Sequence, residues 1–572
     1  MELFMKNYKQ WLENPFFDEQ TKQELIKIEH NDEEIKERFY KNLEFGTAGL
    51  RGILGAGTNR MNIYTVGRAS QGLANFIKKE HGEEKGVVIS YDSRHMSREF
   101  SEIAALCFCA NGIKAYVFEN LRPVPELSYA VRRLGCIAGI MITASHNPAK
   151  YNGYKVYWED GAQITSPKDK LIMEEVNTIE DYTTIKTMDK QDAIEKNLYR
   201  TVGEQIDTSY MEELKKQSLN PESIKKQKDM CIVYTPLHGA GNEPVQRILK
   251  EIGFENVQVV KEQEMPDGNF PTVDYPNPED KKAFKLALKL AQEKDAEIVL
   301  ATDPDADRLG VYVKDTKTGE FKAFTGNMSA LLIAEYILSQ RKRKRNLPEN
   351  GAIIKSIVSS TMANEITKAY GVTLFEVLTG FKYIGEKIKE FEAKQNYTFL
   401  FGYEESYGCL AGTHARDKDA VVAVMLLCEA AAFYKEEGKT LWDQMICLYE
   451  KYGYYKEDIM QVTLEGIDGA EKIQKILENL RKNPPKAIGK YRIKKIRDYE
   501  ANTILDCDSG TITETGLPIS NVLYYELENN AWCCVRPSGT EPKIKYYMGV
   551  KGISMQDADR KMEELKEALR QL

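Results

Sequence analysis

One short polar loop carries residue types that are typical of covalent catalysis. In residues 143–148, Thr-Ala-Ser-His-Asn-Pro, Ser145 and His146 follow an apolar segment at 137–143 that predicts a buried strand. A hydroxyl at the end of a strand is held by a rigid scaffold and stays within reach of a ligand. Lys155 follows shortly after and adds a cation. The loop predicts Ser145 as a nucleophile, and the alternative is that it only caps a helix or closes a turn.

A second loop carries three acidic residues at alternate positions. Asp303, Asp305 and Asp307 directly follow a predicted strand at 297–302. Carboxylates at alternate positions of an extended backbone can converge on one hard cation. A calcium helix-loop-helix begins with the same pattern, but it requires glycine and glutamate at positions where this chain has arginine and lysine. We therefore predict a metal site, with Mg²⁺ as the preferred ion because every ligand is an oxygen.

A third loop, residues 402–408, has the sequence Gly-Tyr-Glu-Glu-Ser-Tyr-Gly and again follows a predicted strand. Glu404 and Ser406 are two positions apart, so they can point the same way and hydrogen-bond neighbouring hydroxyls of a sugar. The alternative is an ordinary loop. Two further segments, 379–382 and 414–419, add donors and cations, although the second could also be a salt-bridged turn.

Two more segments present arginines. Residues 536–543, Arg-Pro-Ser-Gly-Thr-Glu-Pro-Lys, combine two cations, two hydroxyls and a glycine that lets the backbone approach a ligand. That combination predicts a phosphate cradle, and the alternative is a turn between two strands. Residues 45–52 form a glycine-rich loop that presents Arg51, without the lysine and spacing of an ATP-binding phosphate loop.

The elements that must position these loops show a recurring order. Apolar segments that predict buried strands form three pairs, which are 86–92 with 137–143, 230–235 with 297–302, and 352–356 with 397–402. Helix-like segments separate the members of each pair. Strands that alternate with helices predict three successive α/β units with mostly parallel sheets and right-handed crossovers.

The remaining segments differ from these units. Residues 17–39 have helical spacing, and the acidic, proline-rich stretch 266–280 predicts a surface loop. Near the end of the chain, two strands at 522–526 and 532–535 precede an amphipathic helix at 554–572. This last part predicts an α+β domain.

Composition limits the class of protein. A chain of 572 residues is too long for one core, and 42% hydrophobic with 29% charged residues is typical of a soluble globular protein. The net charge of −8 gives no reason to expect nucleic acid or an anionic membrane as a partner. We identify no secretory signal and no apolar run of membrane-spanning length. Ten cysteines without framework spacing favour a reducing cytoplasm.

With the serine, aspartate, sugar-binding and phosphate-cradle loops in this order, the chain resembles the α-D-phosphohexomutase family, in its long phosphoglucomutase/phosphopentomutase branch, over residues 40–550. The resemblance implies four domains around a central cleft, three similar α/β domains and a C-terminal α+β domain of TATA-binding-protein-like fold. We predict four domains. Residues 1–205 form the domain with the phosphoserine loop, 206–322 the domain with the metal-binding loop, 323–454 the domain with the sugar-binding loop and 455–572 the domain with the phosphate-binding loop.

The resemblance also implies a role for each candidate residue. Ser145 would carry a phosphoryl group and bind Mg²⁺ together with Asp303, Asp305 and Asp307. The reacting phosphoryl group would be surrounded by Arg51, His146 and Lys155. The substrate-binding residues would be Arg308 near the metal, Thr379, Gly380, Glu404 and Ser406 at the sugar hydroxyls, and Lys418, Arg536, Ser538, Gly539 and Thr540 at or near the phosphate that is not transferred.

One position departs from part of the family. Some members have a histidine two residues after the sugar-binding serine, whereas this chain has Gly408. The proton acceptor is therefore either Lys155 or His146, and the sequence does not choose between them.

The activity that the resemblance implies is interconversion of glucose 1-phosphate and glucose 6-phosphate through a phosphoserine and glucose 1,6-bisphosphate. The enzyme would use one Mg²⁺ per chain and no nucleotide, and would be a monomer or a weak homo-oligomer. Exchange of phosphate on ribose or deoxyribose is the first alternative, followed by a phosphomannomutase. A non-catalytic sugar-phosphate sensor and a metal-dependent phosphatase also remain open.

Overall fold

The structure, a computed structural model, describes residues 2–44, 49–463, 469–537 and 543–571. It has three successive α/β domains with mixed sheets and a fourth, β-rich domain, which confirms the predicted fold class. Among the described residues, no helix combines the length and apolar character that crossing a bilayer requires.

The first domain starts with a helical segment and continues into a mixed sheet. Its elements are α1 (Leu3–Glu13), α2 (Glu19–Ile26), α3 (Asp32–Phe39), β1 (Leu50–Ile53), α4 (Ile63–Lys79), β2 (Val87–Tyr91), α5 (Ser97–Ala110), β3 (Ala115–Phe118), α6 (Val124–Leu134), β4 (Ala138–Ile142), β5 (Tyr151–Trp158), α7 (Lys168–Asn177), α8 (Lys190–Glu195) and β6 (Tyr199–Val202). The strand order is β1-β5-β4-β2-β3-β6. Strands β4, β2, β3 and β6 are parallel, whereas β5 and β1 add an antiparallel edge.

The helical spacing over residues 17–39 corresponds to two helices rather than one. The chain breaks between α2 and α3 because Asn31 caps the second helix, where its side chain accepts a hydrogen bond of 3.1 Å from the Glu34 N–H. The strands β2 and β4 are buried along their whole length, as expected for the centre of a parallel sheet covered on both faces.

The second domain repeats this plan. Its elements are α9 (Glu204–Lys215), α10 (Pro221–Lys226), β7 (Ile232–Thr235), α11 (Asn242–Ile252), β8 (Val257–Val259), α12 (Lys261–Glu264), α13 (Lys285–Glu293), β9 (Ile298–Thr302), β10 (Leu309–Lys314) and β11 (Phe321–Phe324). The order β11-β10-β9-β7-β8 has a parallel half and an antiparallel half. The predicted boundary at 322 falls inside β11, which pairs with β10 in this sheet.

The third domain is the next α/β unit. Its elements are α14 (Gly326–Arg343), β12 (Gly351–Ser356), α15 (Met362–Tyr370), β13 (Thr373–Val377), α16 (Phe381–Lys394), β14 (Thr398–Tyr403), β15 (Cys409–Ala411), α17 (Ala420–Glu436) and α18 (Leu441–Tyr452). The order is β13-β12-β14-β15, with only β15 antiparallel.

The fourth domain is built on an antiparallel sheet. Its elements are β16 (Tyr454–Thr463), α19 (Gly469–Lys482), β17 (Ala487–Ile488), β18 (Tyr491–Asp498), β19 (Thr503–Asp506), β20 (Ile512–Glu514), β21 (Leu523–Leu527), β22 (Trp532–Pro537), β23 (Lys543–Gly552) and α20 (Met555–Arg570). The order is β16-β23-β22-β21-β18-β19-β20, and β17 pairs with β18. The predicted final helix corresponds to α20.

The hydrophobic core joins the first three domains. One cluster of buried side chains includes Leu127 of α6, Tyr210 of α9, Ile248 of α11 and Val424 of α17. The fourth domain has its own cluster and meets the third through a smaller one. The first three domains therefore form a continuous body, to which the fourth domain is attached at one side.

An ion-pair chain also crosses from the third domain to the fourth. Glu376 of β13 lies 2.9 Å from the buried Lys355 Nζ, and its other carboxylate oxygen accepts a hydrogen bond of 2.8 Å from Arg497 of β18. Burial raises the pKa of Glu376, but the two cations more than offset this and lower it to about 2. The carboxylate is therefore more stable as an anion in the folded protein than in the unfolded chain.

We expect Glu376→Gln to destabilise the protein at pH 7 by about 2 to 3 kcal/mol, because it leaves two cations without their shared partner. A lowered carboxyl pKa stabilises the fold above the unfolded value, near 4.5, and this contribution is lost as the pH falls towards about 2. Melting temperatures measured in steps from pH 7 to pH 3 should therefore converge for the two proteins. A difference that stays constant over this range would argue against the pairing.

Candidate active site

The Ser145 loop begins where β4 ends. Ser145 is 3% exposed and has a φ of +51°, a left-handed conformation that residues other than glycine rarely adopt. Its backbone N–H donates to Thr143 Oγ1 over 2.8 Å, and that hydroxyl donates to the Asp92 carboxylate over 2.6 Å. An unusual backbone conformation persists only where its surroundings enforce it, and such positions cluster at functional sites.

Arg94 holds this loop in place and was not among the predicted site residues. Its side chain is fully buried, and its Nε lies 3.3 Å from the Asp92 carboxylate. The guanidinium donates to four backbone carbonyls of the loop, those of Ser145, Asn147, Pro148 and Tyr151. A signal was available, because Asp92-Ser93-Arg94 directly follows β2, the strand beside β4.

The three predicted metal ligands converge in the turn between β9 and β10. Oxygen atoms of Asp303, Asp305 and Asp307 lie within 4.8 Å of one another, and all three residues are buried. Ser145 Oγ donates to Asp303 Oδ2 over 2.8 Å, although these residues are 158 positions apart. The fold therefore brings the candidate nucleophile of the first domain to the carboxylates of the second.

These residues fit a divalent cation. The Oδ1 atoms of Asp305 and Asp307 are buried and have no hydrogen-bond partner among the described residues. Burial, and then the charges of the other two aspartates, raise the pKa of Asp303 well above its ordinary value. Three carboxylates and a hydroxyl form the all-oxygen ligand set that hard cations such as Mg²⁺ prefer.

Two lysines lie beside the carboxylates. Lys155 of β5 has its Nζ 2.8 Å from Asp305 and 3.5 Å from Asp307, and Lys418 Nζ lies 3.1 Å from Asp307. Burial lowers the pKa of Lys155, but Asp305 and Asp307 more than offset this and raise it. Both lysines therefore add positive charge where a phosphoryl group would approach the carboxylates.

Arg51 and His146 lie on the loop side of the site. Arg51 Nη1 donates to Asn147 Oδ1 over 3.0 Å, and His146 Nδ1 lies 3.1 Å from Ser145 Oγ. Burial, followed by the charges of Arg308 and Arg51, lowers the pKa of His146 well below its ordinary value. Its ring is therefore neutral near pH 7.

Two of the four predicted sugar-binding residues, Gly380 and Glu404, are in contact. Glu404 is buried beyond β14, and its Oε1 accepts a hydrogen bond of 2.7 Å from the Gly380 N–H at the start of α16. Thr379 and Ser406 are half-buried next to these two residues in the chain. The Leu309 N–H, just after the aspartate turn, donates to the carbonyl of Tyr407 over 2.9 Å. This contact fixes the sugar loop against the metal loop.

In the segment 414–419, some side chains stabilise the fold and one contacts the candidate metal ligands. His414 Nε2 lies 2.7 Å from Asp419, which caps α17, and Arg416 donates to backbone carbonyls of its own turn. Only Lys418 reaches the carboxylates. Its position beside Asp307 puts it at the metal end of the site.

Arg308 and Arg536 are the two further arginines predicted to bind substrate. Arg308 donates to Glu279. Arg536 of β22 is half-buried and pairs in register with Lys545 of β23. Burial, and with it the charge of Arg536, lowers the pKa values of Lys382 and Lys545. Both lysines therefore lie near Arg536, and each also faces carboxylates, which are Asp169 and Glu386 for Lys382 and Glu279 and Glu405 for Lys545. We call Lys382, Arg536 and Lys545 the cationic cluster and consider it a candidate anion site, although no sequence pattern marks Lys545.

Three predicted phosphate-binding residues, Ser538, Gly539 and Thr540, lie outside the described residues, as do residues 45–48 of the Arg51 loop.

Known protein families and individual relatives match most of the chain, including the three α/β domains described above. Three models of the phosphoglucomutase/phosphomannomutase alpha/beta/alpha domains match residues 42–183 for domain I, 208–319 for domain II and 325–452 for domain III. A phosphoglucomutase of Staphylococcus haemolyticus is 38% identical over 512 residues, which is 90% of this chain and 91% of that protein. One from Staphylococcus aureus is 36% identical over 562 residues, 98% and 97% of the two chains.

A solved structure has the same fold. The exocytosis-sensitive phosphoprotein parafusin of Paramecium, a phosphoglucomutase in an open form, superposes with a TM-score of 0.67 at 18% identity. The match covers 92% of this chain and 95% of that one.

Proposed function

Because the chain belongs to the phosphoglucomutase/phosphomannomutase family, we propose that it is a phosphoglucomutase that interconverts glucose 1-phosphate and glucose 6-phosphate. The observation that carries this proposal is the contact of Ser145 Oγ with Asp303, at 2.8 Å, inside a cluster of three buried carboxylates. A serine nucleophile beside a metal site is the arrangement that phosphoryl exchange requires.

The reaction proceeds in two opposite transfers. In the first, the bond between Ser145 Oγ and phosphorus breaks while a new bond forms to the free hydroxyl oxygen of the sugar phosphate, and that hydroxyl loses its proton to a base. The product is glucose 1,6-bisphosphate. After the intermediate turns around, its other phosphoryl group returns to Ser145 and the leaving hydroxyl regains a proton.

Asp303, Asp305, Asp307 and Ser145 would hold Mg²⁺, which supplies charge stabilisation to the transferring group when bound. Lys155, Lys418 and Arg51 add positive charge around the carboxylates. Their placement supports this role, because Lys155 and Lys418 already contact the carboxylates at about hydrogen-bond distance. One Mg²⁺ per chain and a trace of glucose 1,6-bisphosphate as activator remain part of the proposal.

The proton acceptor is Lys155 or His146. His146 Nδ1 lies 3.1 Å from Ser145 Oγ, and Lys155 Nζ lies 2.8 Å from Asp305. Both are close to the atoms that exchange the phosphoryl group. The raised pKa of Lys155 means that this side chain would first have to lose a proton, whereas the lowered pKa of His146 leaves its ring ready to accept one. We therefore favour His146 and keep Lys155 as the second candidate.

The substrate is held at two other places. Thr379, Gly380, Glu404 and Ser406 bind the sugar hydroxyls, in either orientation of the ring. The cationic cluster of Lys382, Arg536 and Lys545 binds the phosphate that does not react, with Ser538, Gly539 and Thr540 as further predicted ligands. Arg308 would touch the substrate near the metal, because its backbone N–H donates to Asp303 Oδ1 over 3.1 Å. A second phosphate site is what a mutase needs and a phosphatase does not.

One assay tests the proposal. Purified protein with MgCl₂ and a trace of glucose 1,6-bisphosphate should convert glucose 1-phosphate to glucose 6-phosphate without releasing inorganic phosphate. If ribose 1-phosphate or mannose 1-phosphate turned over faster in parallel reactions, that sugar phosphate rather than glucose 1-phosphate would be the preferred substrate. Phosphate release would indicate a phosphatase, and no turnover of any sugar phosphate would indicate a sensor.

We place the enzyme in the cytoplasm, as a monomer or weak homo-oligomer without nucleic-acid or membrane partners. All ten cysteines lie within the described residues and are free thiols, which suits a reducing compartment.

A further inference from the structure

The two halves of the candidate site come from different domains. The first domain supplies Ser145, whereas the second supplies Asp303, Asp305 and Asp307. The distance between Ser145 Oγ and the carboxylates therefore depends on how these two domains dock. Positioning of reacting groups is a large part of catalysis, and a displacement of about 1 Å can reduce a rate about 100-fold.

One segment of the second domain touches the residue that holds the Ser145 loop. The ring of Phe270 lies under the Arg94 guanidinium, with 5.0 Å between the Arg94 Cζ and the ring centroid. Phe270 is 1% exposed and has a φ of +47°. The prediction of a surface loop at 266–280 is therefore wrong for this residue, because its ring is buried against a cation of the neighbouring domain.

The backbone of the same segment also approaches the first domain closely. A Cβ atom at Gly268 would lie 2.7 Å from the His95 nitrogen and 3.0 Å from the Ser93 carbonyl oxygen, so only glycine fits there without a shift. His95 Nε2 lies 2.9 Å from Asn269 Oδ1. Residues 265–273, which we call the clamp segment, therefore contact both residues that flank Arg94.

The clamp segment is also tied to the turn that supports the aspartates. His238 binds it at both ring nitrogens, with Nδ1 3.1 Å from the Met265 carbonyl and Nε2 3.0 Å from Thr272 Oγ1. Two residues further on, the Ala240 N–H donates over 2.8 Å to the carbonyl of Pro304, which lies between Asp303 and Asp305. The clamp segment is thus linked to the metal loop at one end and to the serine loop at the other.

We propose that Phe270 is a positioning residue, which acts through Arg94 to set the Ser145 loop against the metal-binding aspartates. This inference rests on the proposed function for its effect on turnover. The ring faces both the His238 ring and the guanidinium that fixes four loop carbonyls. Loss of the ring should change the alignment of the two halves more than the binding of the sugar.

The test compares Phe270→Leu with Phe284→Leu. Phe284 is equally buried, at 1% exposure, in the same domain, where it packs on Tyr312. Both variants lose one buried ring, so their melting temperatures should fall by similar amounts. We expect Phe270→Leu to lower kcat about 10-fold or more, with KM for glucose 1-phosphate unchanged within about two-fold, whereas Phe284→Leu should keep kcat within about two-fold.

A double-mutant cycle tests whether Phe270 acts through Arg94. Arg94→Lys keeps the charge but cannot donate to four carbonyls. As a single variant it should therefore lower kcat more than Phe270→Leu does. Adding Phe270→Leu to this variant should then cost less than about two-fold, because the contact is already lost. Independent, multiplying effects would overturn the proposal, and so would wild-type kcat in Phe270→Leu.

Hydrogen exchange separates this inference from the proposed function. Amides of residues 143–151 should exchange faster in Phe270→Leu than in the wild type or in Phe284→Leu, whether or not the enzyme turns over glucose phosphates. Unchanged exchange there would contradict the positioning role. A wild type that is inactive on every sugar phosphate would overturn the function alone.

Discussion

Ser145→Ala is expected to abolish mutase activity, with a loss of at least about 10⁴-fold in kcat, because it removes the hydroxyl that carries the phosphoryl group. Ser145 Oγ lies 2.8 Å from Asp303 and 3.1 Å from His146 Nδ1, so the substitution removes a hydroxyl that faces both. The assay is conversion of glucose 1-phosphate with glucose 1,6-bisphosphate and MgCl₂. Mass spectrometry of the intact protein should show one phosphoryl group on the wild type and none on the variant.

Ser101→Ala is the matched control. Ser101 is a buried serine of α5 whose hydroxyl donates over 2.6 Å to the Arg98 carbonyl, away from the carboxylates. It should keep both turnover and the phosphoryl group. If Ser145→Ala still became phosphorylated or turned over substrate, the nucleophile would have to be sought elsewhere.

Asp305→Asn is expected to remove one metal ligand. It should therefore lower kcat/KM at least about 10³-fold at the MgCl₂ concentration that saturates the wild type. Asp305 Oδ1 is buried and has no hydrogen-bond partner among the described residues, so it is free to bind a cation. Mg²⁺ binds only the folded site, so it should raise the melting temperature of the wild type. The variant should show a much smaller rise.

The same substitution at Asp315 serves as the control. Asp315 follows β10 in the same domain, and its carboxylate accepts hydrogen bonds from the Lys317 N–H at 3.0 Å and Thr318 Oγ1 at 2.9 Å. Asp315→Asn should leave the response to MgCl₂ intact. An equal thermal response to MgCl₂ in wild type and Asp305→Asn would exclude these aspartates as the principal metal site.

Much of the fold was accessible from the sequence because parallel strands are buried on both faces. Residues 137–143 and 297–302 are continuous apolar runs, and they correspond to β4 and β9. The antiparallel strand β5, which carries Lys155, was not predicted. Its sequence, Tyr-Asn-Gly-Tyr-Lys-Val-Tyr-Trp, lacks a clear apolar run or alternation, and its place in the sheet depends on pairing with β1 and β4.

The residues at the end of each strand were accessible for the same reason. Ser145 and the three aspartates follow the carboxyl end of a buried strand, and their residue types in a polar loop were enough to predict a functional site. The residues that support them carry no such mark. Arg94 and Phe270 look like an ordinary cation and an ordinary apolar residue, and their role appears only when two domains meet.

The sequence by itself therefore determined the order of the chemical groups, which are a serine, three carboxylates, a sugar-binding loop and an arginine near the end of the chain. It also determined that all of these groups except the arginine follow strands of repeated α/β units. Only the tertiary structure decided which of them touch. Ser145 and Asp303 are 158 positions apart, and they meet at 2.8 Å because docking of the first two domains fixes their distance. Local sequence patterns report periodicity and burial, whereas docking depends on contacts between surfaces that are remote in the chain.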